Sequence, residues 1–199
     1  MKDQDAGHDA YFAHLQSITW LGRLYKRRVS APYLYNQARN FGGRILEVGC
    51  GIGAGVLGAY PKAVSGIDVN PAAIEHCRSL GLDARLIRTD TPWDIEDGAF
   101  DACILDNVLE HVRDPSLLLH ECARVTGPRA GLVVAVPGSK GFASDADHKI
   151  HYDESSLRDL NHGWTCVRLT GIPLWIGHRF LSKRMRQFCV VAVYRKRVN

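Results

Sequence analysis

Three alternating glycines, Gly49, Gly51 and Gly53, follow directly on the apolar run Ile45–Val48, and Glu47 interrupts that run with a carboxylate. A chain that turns sharply at a strand end and brings its backbone against a ligand needs residues without a Cβ, and the start of the following helix supplies free N–H donors. The pattern reads as a site for a nucleotide-like ligand. Gly53, Gly55 and Gly58 also spell GxGxxG, but that spelling begins five residues past Val48, inside what reads as helix, whereas a dinucleotide fingerprint starts at the strand end. Glu47 would repel a pyrophosphate and attract the ammonium of an amino-acid-like cofactor. The charge favours the cationic ligand, and NAD-dependent oxidation stands as the alternative.

Asp68 lies 21 residues after Glu47, at the end of the second apolar run. A carboxylate there can accept both hydroxyls of a ribose, whichever cofactor carries it; the competing role is to cap a helix opening at Pro71. Further on, the polar stretch Gly138–Asp153 carries Asp145, Asp147, His148, His151 and Tyr152. Loops at the C-terminal ends of parallel strands face the ligand crevice, so His148 or His151 is expected as general base, oriented by Asp147 or Asp145. The alternative is a plain polar loop in which one histidine caps the next helix. A metal held by Asp147, His148 and His151 has suitable ligand types but no fourth donor, so none is expected. His111 reads as the anchor of a helix start, and Cys50 as structural.

The elements that must position these residues are legible from periodicity. Ile45–Val48, Ala63–Val69, Ala84–Arg88, Ala102–Leu105 and Leu132–Val136 read as buried strands separated by helices, opened by Pro71 and by Asp114-Pro115, with Asp153 as N-cap of a helix over residues 154–160. That order predicts a doubly wound parallel sheet. Cys166–Thr170 and Cys189–Tyr194 read as an antiparallel pair at its edge. Residues 1–40, with Tyr11, Phe12, Leu15, Ile18, Trp20, Leu21, Leu24 and Tyr25, read as a helical cap, and residues 41–199 as the domain itself.

With 199 residues, 46% of them apolar and 23% charged, the chain has the composition of one globular domain, which excludes disordered, collagenous and solenoid classes. No apolar run of about 18 residues occurs, and the first ten residues are polar and acidic, so a cytoplasmic protein is expected. Six cysteines without a CxxC suit reduced thiols. The net charge of +4 is unevenly placed: residues 161–199 hold eight basic residues and no acid, and a second basic knot spans Arg23–Arg28. Such asymmetry points to an anionic partner.

The segments ILEVGCGIG, GIDVNP, TDTPWDIEDGAFDACILDNVLEHVRDP and LVVAVPG, in that order and spacing over about residues 44–137, resemble the class I S-adenosylmethionine-dependent methyltransferases, especially the bacterial small-molecule group similar to ubiquinone and menaquinone methyltransferases. The resemblance implies a Rossmann-like α/β fold with a seven-stranded sheet, mostly parallel with an antiparallel edge strand, and S-adenosyl-L-methionine bound across the strand ends. It places Glu47, Gly49, Cys50, Gly51 and Gly53 around the methionine moiety, Asp68 with its neighbour Val69 at the ribose, Asp90 at the adenine amino group, and Asn107 and Val108 beside the methyl. The stretch Asp106–Leu109 lacks the Asn/Asp-Pro-Pro-aromatic tetrad of the N-methylating branches, so transfer to oxygen is expected. The acceptor is expected to be a small molecule or saccharide, anionic because the basic residues of 23–28 and Arg179–Arg186 flank its place. Peripheral membrane contact through Trp20, Leu21 and Trp175 is the alternative. No stable nucleic-acid complex is expected, because Phe180, Phe188 and Tyr194 form no recognisable module beside the basic tail.

Overall fold

Apolar runs without alternation become strands covered on both faces. In the computed structural model, which describes residues 20–160, 162–173 and 182–197, all four residues of β1 (Ile45–Val48) are buried. The other strands are β2 (Val64–Asp68), β3 (Ala84–Leu86), β4 (Phe100–Asp106), β5 (Thr126–Pro137), β6 (Trp164–Ile172) and β7 (Cys189–Lys196). They form one sheet in the order β3-β2-β1-β4-β5-β7-β6. The expected architecture is met. The reversed strand is β7, antiparallel to both β5 and β6 and inserted between them, so the outermost strand of the edge hairpin is β6.

Ahead of the sheet run α1 (Trp20–Tyr25), a π-helical turn (Lys26–Ser30) and α2 (Ala31–Arg39); the remaining helices are α3 (Val56–Ala59), α4 (Pro71–Ser79), α5 (Ser116–Arg124), α6 (Ser139–Phe142) and α7 (Glu154–Arg158). The boundaries follow local chemistry. Pro71 opens α4, but the cap is Asn70, whose side chain accepts the N–H groups of Ala72 and Ala73. Asp68 is thereby released from the capping role. Asp153 caps α7 in a reciprocal box with Ser156.

Strand residues alternate between two cores. Leu46, Val48 and Leu105 pack with Leu119 and Cys122 of α5 and Leu157 of α7, while Ile45 and Ile104 pack with Leu34 of α2, Leu57 of α3 and Ile74 of α4. The Trp164 indole donates to the Leu119 carbonyl and the Tyr194 hydroxyl to the Leu157 carbonyl, which fastens α5 and α7 to the first face. Of the expected N-terminal cap, residues 1–19 lie outside the described residues, as does the stretch 174–181 that holds Trp175, Arg179 and Phe180. Among the described residues no helix is long and apolar enough to cross a membrane.

The chain leaves β1 toward β2 and β3 on one side and returns to β4 on the other. A crevice at the C-terminal ends of β1 and β4 follows from that reversal.

Candidate functional site

The turn after β1 fills one wall of this crevice. Gly49, Gly51 and Gly53 have φ of 74°, 52° and 72°, a region that side chains disfavour. A Cβ on Gly49 would also stand 2.6 Å from the Val108 Cγ2, so backbone and β4 loop meet here as closely as they can. The loop is tied down by its neighbours: Gly49 and Cys50 donate to the Ile67 carbonyl at 2.8 and 3.0 Å. The Cys50 thiol is buried and pushed well above its usual range, in keeping with a structural role.

The glycines of the GxGxxG spelling have packing explanations. A Cβ on Gly55 would lie 2.5 Å from Glu47 Oε1, and one on Gly58 would run into the Gly53 carbonyl. Neither observation involves a pyrophosphate.

Asp68 is 5% exposed and holds the loop in place: Oδ2 accepts from Gly51 N–H at 2.8 Å and Oδ1 from Asn70 N–H at 2.9 Å. A carboxylate has about four acceptor sites, and Gly51 and Asn70 take one each. Val69, beside it, is 38% exposed.

Glu47 departs from expectation. Its carboxylate accepts the N–H groups of Val56 and Leu57 at 3.1 and 2.6 Å, satisfying the free donors at the start of α3, and its carboxyl is pushed up to about 7 by burial. It is aimed at the start of that helix and supports the loop there. At the end of β4, Asp106 meets a cation within the crevice: Lys26 Nζ of the π-helical turn stands 3.5 Å from its Oδ2, and Asn107 Nδ2 donates to its Oδ1. Asp106 raises the Lys26 ammonium above its usual value, with Glu47 contributing in the same direction. Beside them the Tyr25 hydroxyl is buried without a hydrogen-bond partner. Neither Lys26 nor Tyr25 stands out in the sequence, since one sits in a basic run and the other in an aromatic one; Asp106 carried the same signal as Glu47, an acid closing an apolar strand.

Asn107 and Val108 follow β4, with Val108 against Gly49 of the loop. Asn107 is a non-glycine residue with φ of 58°, donates its N–H to Ala135 at 2.9 Å and accepts from the Cys189 thiol. Asp90 is not drawn into this buried group. It is exposed beyond β3 and gripped by Arg88 at 2.9 and 2.7 Å, which holds its carboxyl below the usual carboxylate range.

The histidines of the loop after β5 separate into two kinds. His148 has its Nδ1 2.8 Å from the Phe142 carbonyl and its Nε2 3.9 Å from Glu110 and 3.8 Å from Asp145, with the side chain only 8% exposed. Both ring nitrogens of His148 face inward. His151 differs. It is exposed, meets Phe142 edge-on, and lines a cavity of about 510 Å³ with Ser139, Tyr152, Arg158, Ser182 and Lys183. Asp145 lies beside His148, and its Oδ1 accepts the Asp147 N–H. The grouping Asp147, His148 and His151 is not formed. The loop instead zips to the turn Leu109–His111, where the Glu110 carbonyl accepts from Lys149 and Ile150 N–H.

Residues 46–134 match the family model described as a methyltransferase domain. The ubiquinone biosynthesis O-methyltransferase of Alkalilimnicola ehrlichii is 37% identical over 95 residues, 44% of this chain and 38% of that one, so the chain spans well under half the length of this curated relative. Among solved structures, a SAM dependent methyltransferase from Archaeoglobus fulgidus superposes with a TM-score of 0.65 at 17% identity, over 85% of this chain and 94% of that one. A geranyl diphosphate methyltransferase in complex with SAM superposes with a TM-score of 0.62 at 20% identity, over 85% and 84%. At those identities the likeness is one of fold.

Proposed function

Starting from a chain that carries a class I S-adenosylmethionine-dependent methyltransferase domain, we propose that the protein binds S-adenosylmethionine in the β1/β4 crevice and transfers its methyl group to an oxygen of a small anionic acceptor, saccharides included. The observation that carries this reading is the meeting of the left-handed glycine loop, Asp68 and Asn107–Val108 at one crevice, within the segment that matches the domain family. In it, Asp68 takes the ribose and the loop Gly49–Gly53 the methionine backbone. Asp106 replaces Glu47 as the acid near the ammonium, and Asp90 meets adenine once it yields its grip on Arg88.

Methyl transfer from a sulfonium is an in-line displacement, so the protein chiefly aligns the acceptor. The acceptor oxygen forms a bond to the methyl carbon as the carbon–sulfur bond breaks, its electron pair staying on sulfur to give a neutral thioether. The hydroxyl proton passes to His151, the histidine that faces the cavity. Oxygen as the acceptor atom is supported by the activity named for the Alkalilimnicola relative and by the missing tetrad after β4.

Anionic character is supported by the placement of the basic runs. Lys26 reaches Asp106 from the π-helical turn, while Lys183 and Arg158 line the cavity and Lys140 Nζ donates to the Arg184 carbonyl. Lys26 and Lys183 thus border the C-terminal edge of the sheet. The reading is of a cytoplasmic enzyme.

The test is transfer of a labelled methyl group from S-adenosylmethionine to cell extract separated into lipid, saccharide, protein and nucleic-acid fractions. Label is expected in an acidic small-molecule or saccharide fraction, and His151→Ala should lower its rate by about 10² to 10⁴ with cofactor affinity intact. Label confined to nucleic acid or protein would refute the acceptor class.

A further inference from the structure

Glu110, His111 and His148 make a cluster that the proposed reaction does not use. Glu110 lies in the turn after β4 with no exposed surface, and neither carboxylate oxygen has a hydrogen-bond partner. A fully buried carboxylate left in that condition is costly. Around it, one potential donor atom from each of the three residues lies within 4.8 Å of the others.

The two imidazoles are already oriented. A carbonyl only accepts, so His148 Nδ1, 2.8 Å from the Phe142 oxygen, carries the hydrogen and Nε2 carries the lone pair turned toward Glu110. The His111 ring meets that of His148 edge-on, with centroids 4.8 Å apart. Metal-binding histidines characteristically give their second nitrogen to a backbone carbonyl or carboxylate, which fixes tautomer and ring orientation. Asp145 borders this cluster: its Oδ1 accepts from Asp147 N–H and its Oδ2 stands 3.8 Å from His148 Nε2.

We propose that Glu110, His111, His148 and Asp145 form a site for a divalent transition cation, with zinc as its representative, which ties the loop after β5 to the turn after β4. Two carboxylates and two neutral imidazoles around one divalent ion leave no net buried charge. Imidazole nitrogen suits zinc and its first-row neighbours, whereas magnesium and calcium favour all-oxygen sets. Four protein donors with no open position describe a structural site. Donor atoms around a tetrahedral zinc stand about 3.3 Å apart, so the His148 contacts need to close by about half an ångström, and the widest pair among the Glu110, His111 and His148 donors, which lie within 4.8 Å, by more. The ion would hold His148 inward and leave His151, three residues on, facing the cavity. Glu110 and His111 supply the donors that the loop itself lacks.

The whole chain, stripped by chelator, should be titrated with zinc in competition with a chromophoric chelator, and separately with cobalt(II) to read its visible absorption. One ion per chain is expected, unaffected by millimolar magnesium, with protection of residues 138–153 against proteolysis. Glu110→Gln, nearly isosteric, and His148→Ala should each weaken binding by at least about 100-fold, more than loss of an outer partner costs. His120→Ala, on the exposed face of α5, should bind as the parent does. If Glu110→Gln fails to fold, His148→Ala alone decides. No uptake by the parent protein under excess metal, or undiminished uptake by the folded variants, overturns the proposal.

Discussion

Asp68 is assigned two duties, and replacing it with alanine separates them. Without any cofactor, its carboxylate holds Gly51 and Asn70 by N–H bonds of 2.8 and 2.9 Å in a site only 5% exposed. Hydrogen bonds to a charged group contribute about 1.5 to 3 kcal/mol each, and the two share one acceptor and are not additive; Asp68→Ala should therefore destabilise the fold by about 2 to 4 kcal/mol. Urea denaturation measures that loss directly. The second duty, accepting ribose hydroxyls, adds a loss of affinity of about ten- to a hundredfold. A cycle isolates it: S-adenosylhomocysteine and its 2′,3′-dideoxy analogue are titrated by calorimetry into parent and variant. If Asp68 holds the ribose, the parent discriminates strongly between the two ligands and the variant scarcely does. A variant that weakens both ligands by the same factor would refute ribose binding and leave Asp68 as a brace for the loop alone.

Gly49→Ala combines a left-handed φ with a contact of 2.6 Å to Val108, and should lose about 2 to 4 kcal/mol of stability; adding Val108→Ala should recover the steric part but not the backbone part, read from denaturation midpoints. Glu47, with its carboxyl raised in the fold to about 7 from an ordinary value near 4.5, binds more proton folded than unfolded between those values. Stability should accordingly fall as pH rises from about 4.5 to 7, and Glu47→Gln should flatten that segment of the profile; a parent profile that rises through this window would contradict it. Lys183→Ala should raise KM for the acceptor while leaving cofactor affinity unchanged, and the difference should shrink in high salt, as expected for a cation lining the cavity.

Local patterns carried the framework because the framework is decided locally. Ile45–Val48 is a strand because four consecutive residues suit burial on both faces, and Pro71 and Asp153 mark helix starts through their own backbone and side-chain chemistry. The glycine loop was legible for the same reason. What stayed hidden depends on residues distant along the chain. Glu47 caps α3 only because the loop folds back over it, and Lys26 meets Asp106 across 80 positions. His148 and His151 are indistinguishable in the sequence. Only the turn after β4, packed beneath the loop, decides that one faces Glu110 and the other the cavity. Asp90 sits at its expected place in the chain, but the neighbouring Arg88 occupies it, a pairing of i and i+2 that no burial pattern signals.

The position of β7 has a bearing on biosynthesis. Because it separates β5 from β6, β6 has no ladder partner until Cys189–Lys196 has been made, even though β6 itself emerges earlier. During that interval the growing chain exposes β5 as an open edge of Val and Ala residues, the kind of surface that recruits other strands. Ribosomes stalled before residue 189 would therefore hold a nascent chain with β1 to β5 able to pair and the β5 edge open, and it is at that edge that a chaperone would find its substrate.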